Sequence, residues 1–154
     1  GESNGWIFSM TQTQLKRSQQ MSGIEMNIIV KNIKWIMLFA GLVTCTTVAA
    51  VFAPQETLLS MFGTNLTEPL ANLVVRSWGF LVSIMGALLI YGAFNEGSRM
   101  QCIVTAGISK IGFLLLILIF GVAYIDKLIV TVVFDSIVVL ILATYVVCSK
   151  RTAG

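Results

Sequence analysis

The stretch Leu73 to Phe94, LVVRSWGFLVSIMGALLIYGAF, carries one charge in 22 residues, at Arg76. A helix of that length, rising about 1.5 Å per residue, crosses the ~30 Å hydrocarbon core of a bilayer. A soluble amphipathic helix would interrupt such a run with polar residues at a 3.6-residue period, and this one does not. Three more runs of the same kind fill most of the chain, at about residues 35–53, 102–124 and 128–148. Charged residues make up only 11% of the sequence, where a soluble domain carries about 25%. The fold class that follows is all-α: an integral membrane, antiparallel four-helix bundle. The connections are too short to fold separately, so residues 26–154 read as one four-span transmembrane domain.

Residues 1–25, GESNGWIFSMTQTQLKRSQQMSGIE, are polar and read as a flexible tail on the membrane surface. Met26 opens NIIVKNIKWIMLF in the manner of an ordinary membrane-protein start, which sets the tail apart. Lys31 and Lys34 precede the first span, and Trp35 at its start suits the headgroup level. Pro54 directly after VFA blocks signal-peptide cleavage there, so this run is a retained span.

Between the first two spans, PQETLLSMFG has Pro54 at its start and Gly63 just past its end, the punctuation of a short helix lying in the interface. Thr67 is placed to cap the second span. Asn95 to Gln101 and Ile125-Asp126-Lys127 read as tight connections. Lys16, Arg17, Lys31, Lys34, Arg99, Lys150 and Arg151 fall on one side of the spans and Lys127 on the other. The positive-inside rule therefore puts both termini and the Arg99 loop in the cytoplasm.

The chain has no histidine, which excludes His-ligated haem, His-containing zinc sites and His-based triads. Cys45, Cys102 and Cys148 form no CxxC pair. No catalytic constellation, no metal site and no cofactor motif emerges, and no basic stripe interleaved with aromatics suggests nucleic acid.

Three ionisable side chains lie within the spans: Arg76, Lys110 and Asp135. A charge near the bilayer centre costs at least about 2.5–3.5 kcal/mol, so it is rarely idle. On the second span Arg76, Gly79, Ser83, Gly86 and Ala87 share a stripe of helical spacing, and small residues let helices approach closely in lipid. On the third, Ile103, Ala106, Gly107, Lys110, Ile117, Gly121 and Tyr124 share a face; on the fourth, Thr131, Asp135 and Leu142 do. All three charges are thus expected to point into the bundle, with Asp135 paired to Arg76 and Lys110 approaching from the inner side. Thr44, Thr46 and Thr47 can return hydrogen bonds to their own helix and are assigned no site.

Pro54, Met61-Phe62-Gly63, Ala71, Val74-Val75-Arg76-Ser77-Trp78-Gly79, Gly86, Ala93-Phe94, Arg99 and Lys110 form an order that resembles small bacterial four-helix membrane proteins of the DoxX-like and related uncharacterised groups. The resemblance covers about the last 120 residues. It implies an inner-membrane four-helix bundle and no particular reaction.

The expected function is a non-enzymatic accessory or interaction subunit, its partners the lipid bilayer and other membrane subunits or further copies of itself. The alternative is a small-solute, ion or proton transporter using Arg76, Lys110 and Asp135. An enzyme acting on lipids or quinones comes third and would need Glu56, Glu68, Arg76 and Asp135 to converge. Neat pairing of every charge favours a structural role, and a cavity touching Asp135 favours transport.

Overall fold

A computed structural model describes residues 3–65 and 68–152, which are helical almost throughout, with no strand among them. Helix α1 runs Ser3–Cys45 and passes through a 3₁₀ turn, Thr46–Val48, into α2, Ala49–Phe52. Then follow α3 (Pro54–Phe62), α4 (Pro69–Phe94), α5 (Glu96–Phe120), a second 3₁₀ turn (Val122–Tyr124) and α6 (Ile125–Thr152). Four stretches are long and apolar enough to cross a membrane: Ile28–Phe52, Pro69–Phe94, Glu96–Phe120 and Val122–Lys150.

Helix α1 enters its apolar stretch from a long polar extension. Residues 3–25, read from the sequence as a flexible tail, belong to the same continuous helix. Their Gln, Lys, Arg, Met and Leu content favours helix, and no proline interrupts the chain before Pro54. Side chains 11–21 are exposed on every face.

The helices pack as a ring, α1 on α4, α4 on α5, α5 on α6 and α6 on α1. Met37, Leu89, Ile103 and Leu142 fill its centre, one from each helix, and each is almost completely enclosed. A smaller cluster of Ala50, Leu58 and Val75, with Phe62 and Trp78 against it, fastens α3 to the end of the bundle. The outward faces carry large apolar side chains, among them Phe52, Phe80, Phe120 and Leu140.

Small residues set the α1–α4 distance. A Cβ added at Gly86 would sit 2.7 Å from the Cys45 sulfur and 2.8 Å from the carbonyl oxygen of Gly41. One added at Gly41 would sit 2.7 Å from the carbonyl oxygen of Gly86. At Gly79 it would meet the Ala50 Cβ at 2.6 Å. The stripe expected on this helix is thus the contact face at Gly79, Ser83 and Gly86, but not at Ala87, which is exposed. A helix advances about 100° per residue, so Ala87 stands well round the helix from Gly86 and clears the seam.

The connections are tighter than the sequence suggests. Asn95 alone separates α4 from α5, and its side chain accepts from the Ser98 N–H at 3.3 Å as an N-cap. Gly121 ends α5, so the α5–α6 turn falls on Gly121–Tyr124 and not on Ile125-Asp126-Lys127, where α6 already begins. Helix α3 ends as expected at Gly63, whose φ of 69° is the left-handed conformation that glycine adopts without strain. Helix α4 opens with Pro69 behind Glu68; Leu66 and Thr67, and with them the expected Thr67 cap, lie outside the described residues.

Candidate functional site

Lys110 and Asp135 meet. Lys110 lies ten residues before Phe120 at the end of α5, and Asp135 ten residues after Ile125 at the start of α6. Equal helical rise on either side of the intervening turn brings the two level, about 15 Å from it. The Lys110 Nζ donates to Asp135 Oδ1, and the two side chains retain only 10% and 9% of their exposure. The Phe134 ring flanks the ammonium, its centroid 5.9 Å from Nζ. Phe134 is held in turn by an edge contact with Phe39 of α1, at 6.2 Å between centroids.

Arg76 is elsewhere. The sequence places it in the bundle against Asp135, but its side chain is exposed and donates to the carbonyl oxygen of Val51. The physical reason is local. Pro54 begins a new helix directly after α2, so the last carbonyls of α2 lack helical donors, and a guanidinium supplies one. Among the described residues the ion pairs are Lys110–Asp135 and Arg99–Glu96. Arg99 also donates to the carbonyl oxygens of Gly92 and Ala93, at 3.2 and 3.3 Å, closing the C-terminal end of α4.

The Lys110–Asp135 pair borders a cavity of about 510 Å³. Its walls are α1 and the 3₁₀ turn (Phe39, Val43, Thr44, Thr46, Thr47), the start of α2 (Ala49), α3 (Thr57, Ser60, Met61) and α6 (Val130, Thr131, Phe134). Asp135 lines this cavity together with Lys110, and its hydrogen bond to Lys110 is made through Oδ1.

The cavity wall on α1 comes from its threonines. The hydroxyl of Thr44 donates to the carbonyl of Ala40 at 2.7 Å, that of Thr46 to Val43 at 2.6 Å and that of Thr47 to Thr44 at 2.7 Å. Hydroxyls that bond back to their own helix perturb its winding, and the 3₁₀ turn sits at this place. The self-bonding was legible in the sequence. Its consequence, three threonines on one cavity wall, was not. The signal that could have found it is three threonines within four residues of an otherwise apolar span.

A second, shallower pocket of about 340 Å³ holds Arg76, Glu56, Gln55 and Asn72. Arg76 and Glu56 thus share one pocket while Asp135 lines the other, and Glu68 borders neither. The convergence that a lipid or quinone enzyme would need is not formed. Among the described residues no three His, Cys, Asp or Glu side chains gather as a metal site, and all three cysteines are free thiols. Compared with protein-family models, curated proteins and solved structures, the chain matches none.

Proposed function

We propose that this chain is an integral membrane protein, an antiparallel four-span bundle that binds and moves a small solute, ion or proton through its Lys110–Asp135 cavity. The observation that carries the reading is the buried Lys110–Asp135 pair lining a cavity of about 510 Å³, a volume within the usual range of small-molecule sites. A pair serving only to fix helix register needs no cavity beside it. Arg76, part of the transport reading from sequence, drops out of this path and serves the α2 terminus.

In this reading both termini lie on the cytoplasmic side, favoured by the positive-inside rule, and the membrane is the bacterial inner one that the DoxX-like resemblance implies. Contacts at the two ends support the antiparallel pairing. The Lys34 ammonium lies 4.9 Å from the centroid of the Phe94 ring, joining the start of the first span to the end of the second. At the opposite end Gly63 rests against the aliphatic stem of Lys127. The DoxX-like resemblance is compatible with this topology and assigns no solute.

The test is reconstitution into liposomes loaded with a pH-sensitive dye. Monocarboxylates, amino acids, organic amines and alkali cations are added in turn. At least one class should move protons, and Asp135→Asn should abolish the movement while the protein still inserts. Silence for every class would defeat the transport reading. The accessory-subunit reading would then stand on one specific feature, the polar extension of α1, exposed on every face over residues 11–21. Stoichiometric co-purification with larger subunits would be its support.

A further inference from the structure

We infer that the cavity selects an amphiphilic ammonium ion, which takes the place of the Lys110 ammonium at Asp135 while Lys110 releases a proton. This rests on the solute-binding reading above and names the chemical class.

The hydroxyls decide the sign of the ligand. A hydroxyl has one proton to give and two lone pairs to offer. Thr44, Thr46 and Thr47 spend their protons on the carbonyls of α1, and on α3 Thr57 donates to Ala53 at 2.9 Å and Ser60 to Thr57 at 2.9 Å. Five of the six hydroxyl residues lining the cavity thus have their protons committed, Thr47 also lying 3.2 Å from the Ser83 hydroxyl; only Thr131 keeps an uncommitted proton among the described residues. With the Asp135 carboxylate the lining is rich in acceptors and poor in donors. That suits an N–H-rich cation and penalises a carboxylate or phosphate, whose oxygens would face oxygens.

The aromatic and apolar surfaces decide the rest. Phe134 already flanks one ammonium, that of Lys110, and Phe39 packs on its edge. The rim is formed by exposed Phe39, Val43 and Val130. A bare metal ion gains nothing from such walls, whereas an ammonium with a hydrocarbon body fills them.

Charge balance requires an exchange. Lys110 and Asp135 are the charged groups bordering the cavity; α1, α2 and α3 contribute hydroxyl, thioether and hydrocarbon side chains only. The resting site is neutral. A second cation beside an intact pair would leave one unit of positive charge in a low-dielectric interior, which is costly. In the exchange, an Nζ–H bond of Lys110 breaks, the proton passes to water at the cavity mouth, the neutral amine swings off Asp135, and the entering ammonium donates to the carboxylate. Net charge is unchanged and no redox partner is involved.

The experiment is calorimetric titration of the purified full chain in detergent with benzylammonium, benzoate and benzyl alcohol, in two buffers of different ionisation heat. Benzylammonium should bind at one site with release of about one proton, and benzoate should not compete. Asp135→Asn should weaken binding about tenfold or more, as expected for losing one charge-assisted hydrogen bond. Because that variant strands the Lys110 charge and can disturb the bundle, Thr57→Val provides a second reading. It removes one acceptor at nearly constant volume and should weaken benzylammonium by a few-fold while leaving benzyl alcohol unchanged. Tighter binding of benzoate than of benzylammonium, abolished by Lys110→Met, would overturn the ammonium class and leave the solute-binding reading standing. Binding of benzylammonium without proton release would overturn the exchange. No binding of any of the three would overturn the inference, and the liposome survey of other solute classes would then decide the broader reading alone.

Discussion

Gly86→Ala should loosen the bundle at its tightest seam. The new methyl would lie 2.7 Å from the Cys45 sulfur, 2.8 Å from the Cys45 nitrogen and 2.8 Å from the Gly41 oxygen. Two of these three are backbone atoms of α1, so no side-chain rotation relieves the clash. The helix must move by most of an ångström along a seam that also includes Gly79 on Ala50. Overpacking of this kind costs about 1–3 kcal/mol, while replacing glycine by alanine in a helix returns up to about 1 kcal/mol. The expected net is a loss of about 1–2 kcal/mol. Gly107→Ala and Gly112→Ala provide the internal control, since a Cβ at either meets nothing within 4 Å, and both should be neutral or slightly stabilising. Unfolding of the purified protein in mixed micelles of increasing denaturing detergent gives all three values on one scale. Gly41→Ala combined with Gly86→Ala should cost less than the sum of the single changes, because the first separation already makes room for the second. A Gly86→Ala protein at least as stable as wild type would refute close α1–α4 contact at this point.

Removing one member of the Lys110–Asp135 pair, by Lys110→Met, should cost about 3–5 kcal/mol in the same assay, whereas Lys110→Met with Asp135→Leu should recover most of it; equal losses in single and double variants would show that burial of the charge is not the cause. Asn95→Ala removes the α5 cap on Ser98 and should cost about 1 kcal/mol, with no change in either ligand titration. In a cysteine-free background, Ser60→Cys in intact cells should react at once with an impermeant maleimide, and Gly97→Cys only after the membrane is opened. The reverse order would invert the proposed topology.

The helical class and the four long apolar stretches were legible because bilayer-length runs are a strong signal. The contact face of α4 was legible at Gly79, Ser83 and Gly86 because small residues recur there at helical spacing. The ion pair was only half legible. Helical spacing put Lys110 and Asp135 on inward faces, and both are buried. The partner is set by where the helices begin and end. Helix α5 starts at Glu96 and not near Cys102, which carries Lys110 past the helix midpoint to the level of Asp135. Arg76 sits on α4, which packs against α1 and α5, while α6 packs against α5 and α1. That diagonal is a tertiary fact with no signature in any one span. The unsatisfied carbonyl that holds Arg76 arises from a break between helices, visible in sequence only as Pro54.

The 3₁₀ turn at Thr46–Val48 works as a phase shift. Along α1 the buried positions Ile33, Met37, Ala40 and Thr44 keep one helical face. Continued at 100° per residue, that face would next return near position 51, and Ala50 would stand about 100° away from it. Three residues wound at about 120° each add some 60° of rotation. Ala50 is thereby turned inward, where it is completely buried against Gly79. The same stretch lays Thr47 against α4, its hydroxyl 3.2 Å from that of Ser83. One local overwinding thus seats the end of the first span on α4. A variant that restored ordinary winding would turn Ala50 away from Gly79 and leave that seat empty.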